Sequence, residues 1–74
     1  MYVIYYDYGY EGLGEPRYLF SEPHLAIRWL RENTDFDSYP YSSIDYEAGE
    51  FRYMNSKTRT PCEGWVIKKI DLIS

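Results

Sequence analysis

Few residues in this chain have the type and spacing for covalent chemistry. Nucleophilic catalysis needs an activated nucleophile and an oriented base, and Cys62 and His24 are the only cysteine and the only histidine. Cys62 follows Pro61 in a polar stretch and His24 falls in a helix start, with no third group suggested. An ordinary thiol and a solvated surface histidine are the expectation. The same two residues are too few for a structural zinc site, and one cysteine leaves no internal disulfide. The carboxylate pairs Asp35/Asp37 and Asp45/Glu47 would do acid–base work only in a cleft that raises one pKa. Deep clefts are scarce in 74 residues. Gly9, Gly12 and Gly14 give G-x-x-G-x-G, which is not a phosphate-loop spacing and lacks the following lysine and helix. No catalytic residue, metal ligand or cofactor site is therefore expected, and the chain does not read as an enzyme.

What remains is the chemistry of recognition. Five tyrosines (Tyr2, Tyr5, Tyr6, Tyr8 and Tyr10) fall within nine residues and run into Glu11-Gly12. A tyrosine buries its ring while its hydroxyl reaches water or a partner, so Tyr2, Tyr5 and Tyr18 read as core or core edge. Tyr8 and Tyr10, beside the glycines, read equally well as contact residues, because tyrosine brings large area at small entropic cost. Two further tyrosines, Tyr39 and Tyr41, follow Asp35 and Asp37 in a turn-rich stretch.

Charge divides the chain. Residues 1–50 carry ten acidic side chains against three basic, and residues 51–74 carry five basic against two acidic, for a net charge of -4. An acidic surface disfavours direct binding to nucleic acid or anionic membrane and favours a basic protein. The plainer reading is that modest acidity keeps a small domain soluble. No basic segment followed by an apolar run opens the sequence, and no stretch approaches the length of a membrane span. With a lone thiol, a reducing, cytoplasmic setting is expected.

The elements that must position these side chains follow from periodicity. In Tyr2–Tyr10 the even positions share one face, and Val3, Tyr5 and Asp7 the other, so the start reads as a central strand covered on both sides. Pro16–Phe20 returns as a second strand after the glycine turn. Ser21-Glu22-Pro23 reads as a helix entry with Ser21 as N-cap, and the helix runs to about Asn33 with Trp29 as its main anchor. Arg28 and Glu32 stand at i,i+4 on its polar face.

Residues 35–43 form a loop, with Phe36 tucked under it. Ile44–Glu47 and Glu50–Met54 alternate as strands about the Ala48-Gly49 turn, with Ile44 and Tyr46 on one face. Asp45, Glu47, Glu50 and Arg52 take the solvent side. Residues 55–64 are a polar loop. Trp65–Ile73 is the last strand, whose adjacent Lys68 and Lys69 suggest an edge position or a bulge. The order β-β-α-β-β-β predicts a single α+β domain, a sheet of four or five mostly antiparallel strands with one helix packed on a face. At this length extra staples are common, so a homodimer is a further expectation.

Three features together carry a resemblance: the turn Tyr8-Gly9-Tyr10-Glu11-Gly12, the helix entry Phe20-Ser21 with Ala26, and the closing strand from Ile67 to Leu72. They make the chain resemble a loose class of short phage and bacterial proteins of unknown function. The similarity covers both ends, and residues 34–64 have no counterpart. It implies a setting, that of phage accessory proteins, including inhibitors of bacterial defence such as anti-CRISPR proteins. It carries over no active-site residue.

The leading expectation is a non-catalytic inhibitor of a basic host protein or nucleoprotein complex. Asp35, Asp37, Asp45, Glu47 and Glu50 would form an acidic rim, with Glu11 at the glycine turn and Tyr8, Tyr10, Tyr39 and Tyr41 as anchors. Arrayed carboxylates can stand in for phosphates and compete with nucleic acid for arginine and lysine. One alternative is a small single-stranded nucleic-acid or nucleotide binder that stacks bases on tyrosine and holds phosphates with Arg52, Lys57, Arg59, Lys68 and Lys69. Another is a self-associating structural module.

Overall fold

In the computed structural model, residues 1–9, 12–55 and 63–70 are described. The opening strand β1, Tyr2–Asp7, carries Val3 and Ile4 on opposite faces, and both are buried. After the glycine turn the chain comes back beside it. Ile4 N donates to Tyr18 O and Arg17 N to Ile4 O, and the pairing continues as the short strand β2, Leu19–Phe20. Helix α1 covers Pro23–Asn33, and a single 3-10 turn covers Phe36–Ser38. Then come β3 (Tyr41–Asp45), β4 (Glu50–Met54) and β5 (Gly64–Lys69). The strands form one sheet in the order β2-β1-β5-β4-β3, with every neighbouring pair antiparallel. The fold is α+β, with one helix among the described residues packed on a five-stranded sheet.

Cross-strand partners share a face, so the register sorts the side chains. Tyr2, Ile4 and Tyr6 of β1, Trp65 and Ile67 of β5, and Phe51 and Tyr53 of β4 face the helix. There Ile4, Phe51 and Ile67 meet Ala26 and Leu30 in the core, flanked by Trp29, Phe36 and Tyr53. Burying Ile4, Leu30 or Ile67 completely contributes roughly 1.5–3 kcal/mol each. The opposite face carries Val3, Tyr5 and Asp7 of β1, Val66 and Lys68 of β5, and Glu50 and Arg52 of β4.

Several expectations are corrected. The strand with the lysine pair is at the centre of the sheet, paired without a bulge to β1 and β4. It tolerates Lys68 because that residue lies between Val3 and the oppositely charged Glu50, and Lys69 because its stem fills the space beside Gly49 that a side chain there would need. The helix N-cap is Glu22, not Ser21, with extended backbone and no side-chain cap. Proline at the next position forces its predecessor out of the helical region. At the other end Thr34 closes the helix as expected, its N–H and hydroxyl both donating to Leu30 O.

Strand β3 begins at Tyr41 rather than Ile44. Tyr46 lies beyond the strand and is 80% exposed, because Asp45 Oδ1 accepts from Ala48 N and starts the turn early, yet its ring stays edge-on to Phe51, the partner of Ile44, at 6.1 Å. Tyr18 takes the core-edge position of the two expected, 49% exposed with its ring 4.4 Å from that of Trp29. Phe36 does tuck under its loop, 5.0 Å from Tyr53. The last strand is described only as far as Lys69, so the expected continuation to Ile73 lies outside the described residues apart from Ile70, whose N–H donates to Met1 O.

Candidate protein-binding surface

The residues expected to touch a partner divide into those the sheet displays and those it uses internally. Asp35 and Asp37 are exposed around the 3-10 turn, where Asp35 O accepts from Ser38 N. Four residues beyond Asp37, Tyr41 opens β3, exposed and paired with Met54. All five residues of β3 are exposed, and the strand pairs on one side only, with β4. At its far end stand Asp45, Tyr46 and Glu47, all exposed. A strand rises about 3.3 Å per residue, so Tyr41 and Asp45 stand about 13 Å apart. The expected rim is thus two acidic pairs, Asp45/Glu47 at one end of an uncovered sheet edge and Asp35/Asp37 on the turn that leads into its other end. None of the four makes an ion pair among the described residues.

Glu50 does not belong to that rim. It is half-buried on the helix-free face and accepts from Arg52 Nε, while Arg52 Nη1 donates to Asp7 Oδ2 at 3.1 Å. Glu50 and Asp7 share one guanidinium, and a carboxylate held this way is less able to attract a second cation.

Tyr39 and Tyr8 belong to an aromatic cluster at the Tyr41 end of the molecule. The Tyr6 and Tyr39 hydroxyls share a hydrogen bond of 3.0 Å, and Tyr6 also donates to Glu63 Oε2 at 3.4 Å. The Tyr6 ring stands edge-on to Tyr8 at 4.8 Å and to Trp65 at 4.9 Å. Burial, reinforced by the Tyr39 hydrogen bond, pushes the Tyr6 phenol well above its ordinary value. Burial also raises Tyr53, with Arg31 opposing the shift. Tyr8 keeps an exposed ring edge and accepts from Arg17 Nη2 at 3.2 Å, and the guanidinium lies 5.8 Å over the Trp65 ring. Trp65 Nε1 is buried without an acceptor among the described residues. Tyr39 therefore holds the loop in place more than it offers a contact, and Tyr8 does both.

Sequence reasoning missed this cluster. Tyr6 and Trp65 become neighbours only through the β1–β5 register, in which they are direct partners. Tyr10 and Glu11 lie outside the described residues, as do Cys62, Lys57 and Arg59.

The basic residues do not gather into a phosphate-binding face among the described residues. Arg52 is committed to Asp7 and Glu50, and Lys68 and Lys69, as successive strand residues, project to opposite faces. His24 is exposed on α1. Asp35/Asp37 and Asp45/Glu47 stand in open solvent rather than in a cleft. No group of three His, Cys, Asp or Glu side chains is placed to hold a metal among the described residues. A shallow groove of about 490 Å3 lies between Val3, Tyr5, Pro16, Tyr18, Leu19 and Ile70 on the helix-free side, and its lining is mainly apolar. No described helix is long and apolar enough to cross a membrane.

Comparison with protein-family models, with curated proteins and with solved structures found no match to this chain.

Proposed function

We propose that this protein is a non-catalytic binding protein that sets its acidic, tyrosine-bearing edge against a basic protein surface of the kind that holds nucleic acid. In the setting that the sequence resemblance implies, it would inhibit a nucleoprotein complex of bacterial defence. The supporting observation is the edge strand β3, exposed along its whole length, with Asp45/Glu47 at one end and Asp35/Asp37 on the turn that leads into the other. Carboxylates on a rigid body meet arginine and lysine through the charge-assisted bonds that a phosphate backbone would make. The exposed Tyr41 and Tyr46 rings flank β3 and add apolar contact area. Asp7 and Glu50 are already paired with Arg52 and Glu32 with Arg28, whereas Asp35, Asp37, Asp45 and Glu47 make no ion pair among the described residues.

The test is a tagged pull-down from bacterial lysate at low and high salt, with and without nuclease, followed by competition. A recovered nucleic-acid-binding protein that survives nuclease, releases at high salt and loses its nucleic acid as this protein is added supports the reading. Recovery of nucleic acid alone overturns it in favour of a single-stranded nucleic-acid binder.

A further inference from the structure

The mode of docking can be taken further than charge. Strand β3 is an edge strand whose five residues pair with β4 in unbroken register and whose backbone makes no other backbone hydrogen bond among the described residues. In an antiparallel ladder alternate residues aim their N–H and C=O groups outward, so this edge offers a template for another strand. Natural sheets blunt such edges with lysine, proline, bulges or very short strands. Tyr41-Ser42-Ser43-Ile44-Asp45 has none of these within it, its one charge is Asp45 at the end, and Pro40 stands just before it. The opposite edge differs: β2 is only two residues long and is preceded by Pro16.

Charge decides which strand fits. A second copy pairing antiparallel about Ser43 would set Asp45 of one molecule opposite Tyr41 of the other and Glu47 beside Tyr39, and would bring together two chains of net charge -4. Two chains of like net charge repel, which disfavours self-pairing. A strand with basic residues at both ends is instead attracted to the exposed Asp45 and Glu47 and to the exposed acids that precede Tyr41. We infer that β3 accepts an extended, basic segment of a partner protein by strand addition, with main-chain hydrogen bonds along Tyr41–Asp45 and cations over the Asp35/Asp37 and Asp45/Glu47 pairs. This rests on the acidic-surface reading above and adds its geometry. Main-chain pairing of this kind supplies affinity, and the side chains at the ends supply choice of partner.

The test uses the whole chain and a peptide probe, Lys-Lys-Val-Thr-Val-Lys-Lys with blocked ends, against the same peptide N-methylated at its three central residues. The two carry equal charge, and only the first can donate from its centre to a strand edge. Strand addition predicts that N-methylation weakens binding by at least about tenfold, the loss expected when main-chain hydrogen bonds are removed. It also predicts amide shift changes and slowed hydrogen exchange in residues 41–45 with the unmethylated peptide. Equal binding of both peptides overturns strand addition and leaves the acidic-surface reading standing. Binding of neither at low salt overturns both. A mass that doubles with concentration, and a β3 protected in the absence of peptide, overturns the inference in favour of a self-associating edge.

Discussion

Arg52 of β4 reaches over an intervening strand to Asp7 of β1, with Nη1 and Oδ2 3.1 Å apart. The strand it crosses, β5, presents Gly64 opposite Asp7 and Val66 opposite Arg52. Because Gly64 has no side chain, nothing on β5 stands between the carboxylate and the guanidinium at that end. The pair therefore couples two strands that make no ladder contact with each other. Glu50 accepts from the same guanidinium, so one cation holds two anions on the helix-free face.

Replacing Arg52 with Gln should cost about 1–2 kcal/mol, since it removes charged hydrogen bonds and leaves two carboxylates uncompensated. The side chains of Arg52 and Asp7 are 34% and 21% exposed, so solvent screening keeps the pair's own share near the low end of that range. A double-mutant cycle with Asp7→Asn, followed by urea denaturation, should return a positive coupling that shrinks as salt rises. Zero coupling at low salt would show that the pair contributes nothing.

Gly64→Ala should destabilise by about 2 kcal/mol or more, a backbone shift rather than a side-chain adjustment. A Cβ placed there would lie 2.0 Å from Tyr53 O and 2.8 Å from Met54 Cα, both on the neighbouring main chain. Thermal unfolding by circular dichroism checks this, and an unchanged midpoint would mean that β4 and β5 separate at no cost.

Tyr6→Phe removes a hydroxyl bonded to Tyr39 and Glu63 and should cost about 1 kcal/mol near neutral pH. Its pH dependence carries a sign. The folded protein holds this phenol protonated above its ordinary value of 10.0. Above that pH the unfolded chain ionises first, so folded stability is fully present below pH 10.0 and falls as pH rises. The Phe variant lacks this component, so its deficit against the parent should narrow in alkaline solution. A deficit that widens would contradict the assignment.

Reversing Asp35, Asp37 and Glu47 to Lys should slow association with a basic partner by roughly tenfold or more, since exposed charges act mainly on the encounter rate. The exposed positions predict little change in unfolding midpoint. Association kinetics at two salt concentrations provide the measurement, and an unchanged rate would sink the acidic-surface proposal.

Local features were legible where the side chains themselves enforce them. Alternation around Val3 and Ile4 marks a strand buried on both faces, Phe36 anchors its loop, and Asn33-Thr34 ends the helix. The acids that remain displayed were legible too, Asp35 and Asp37 as turn residues and Asp45 and Glu47 as the solvent side of a strand. Features that depend on who pairs with whom were not. Lys68 and Lys69 read as edge residues until β1 and β4 are seen on either side, and Glu50 reads as solvent-facing until Arg52 is seen beside it. The Tyr6–Trp65 contact needs a register that no local pattern encodes. Glu22 is different, because proline at position 23 signals its extended backbone directly in the sequence.

The strand order also sets a schedule for assembly. β1 and β4 each pair with β5, and no ladder joins the β1–β2 hairpin to the β3–β4 hairpin. The keystone strand is the last of the five in the chain, so the cluster of Ile4, Phe51, Ala26 and Leu30 lacks Ile67 until it arrives. Closing the sheet is then a non-local event that slows folding for a chain this short. In a cell, the interval before β5 emerges is when a chaperone or a protease would find this protein.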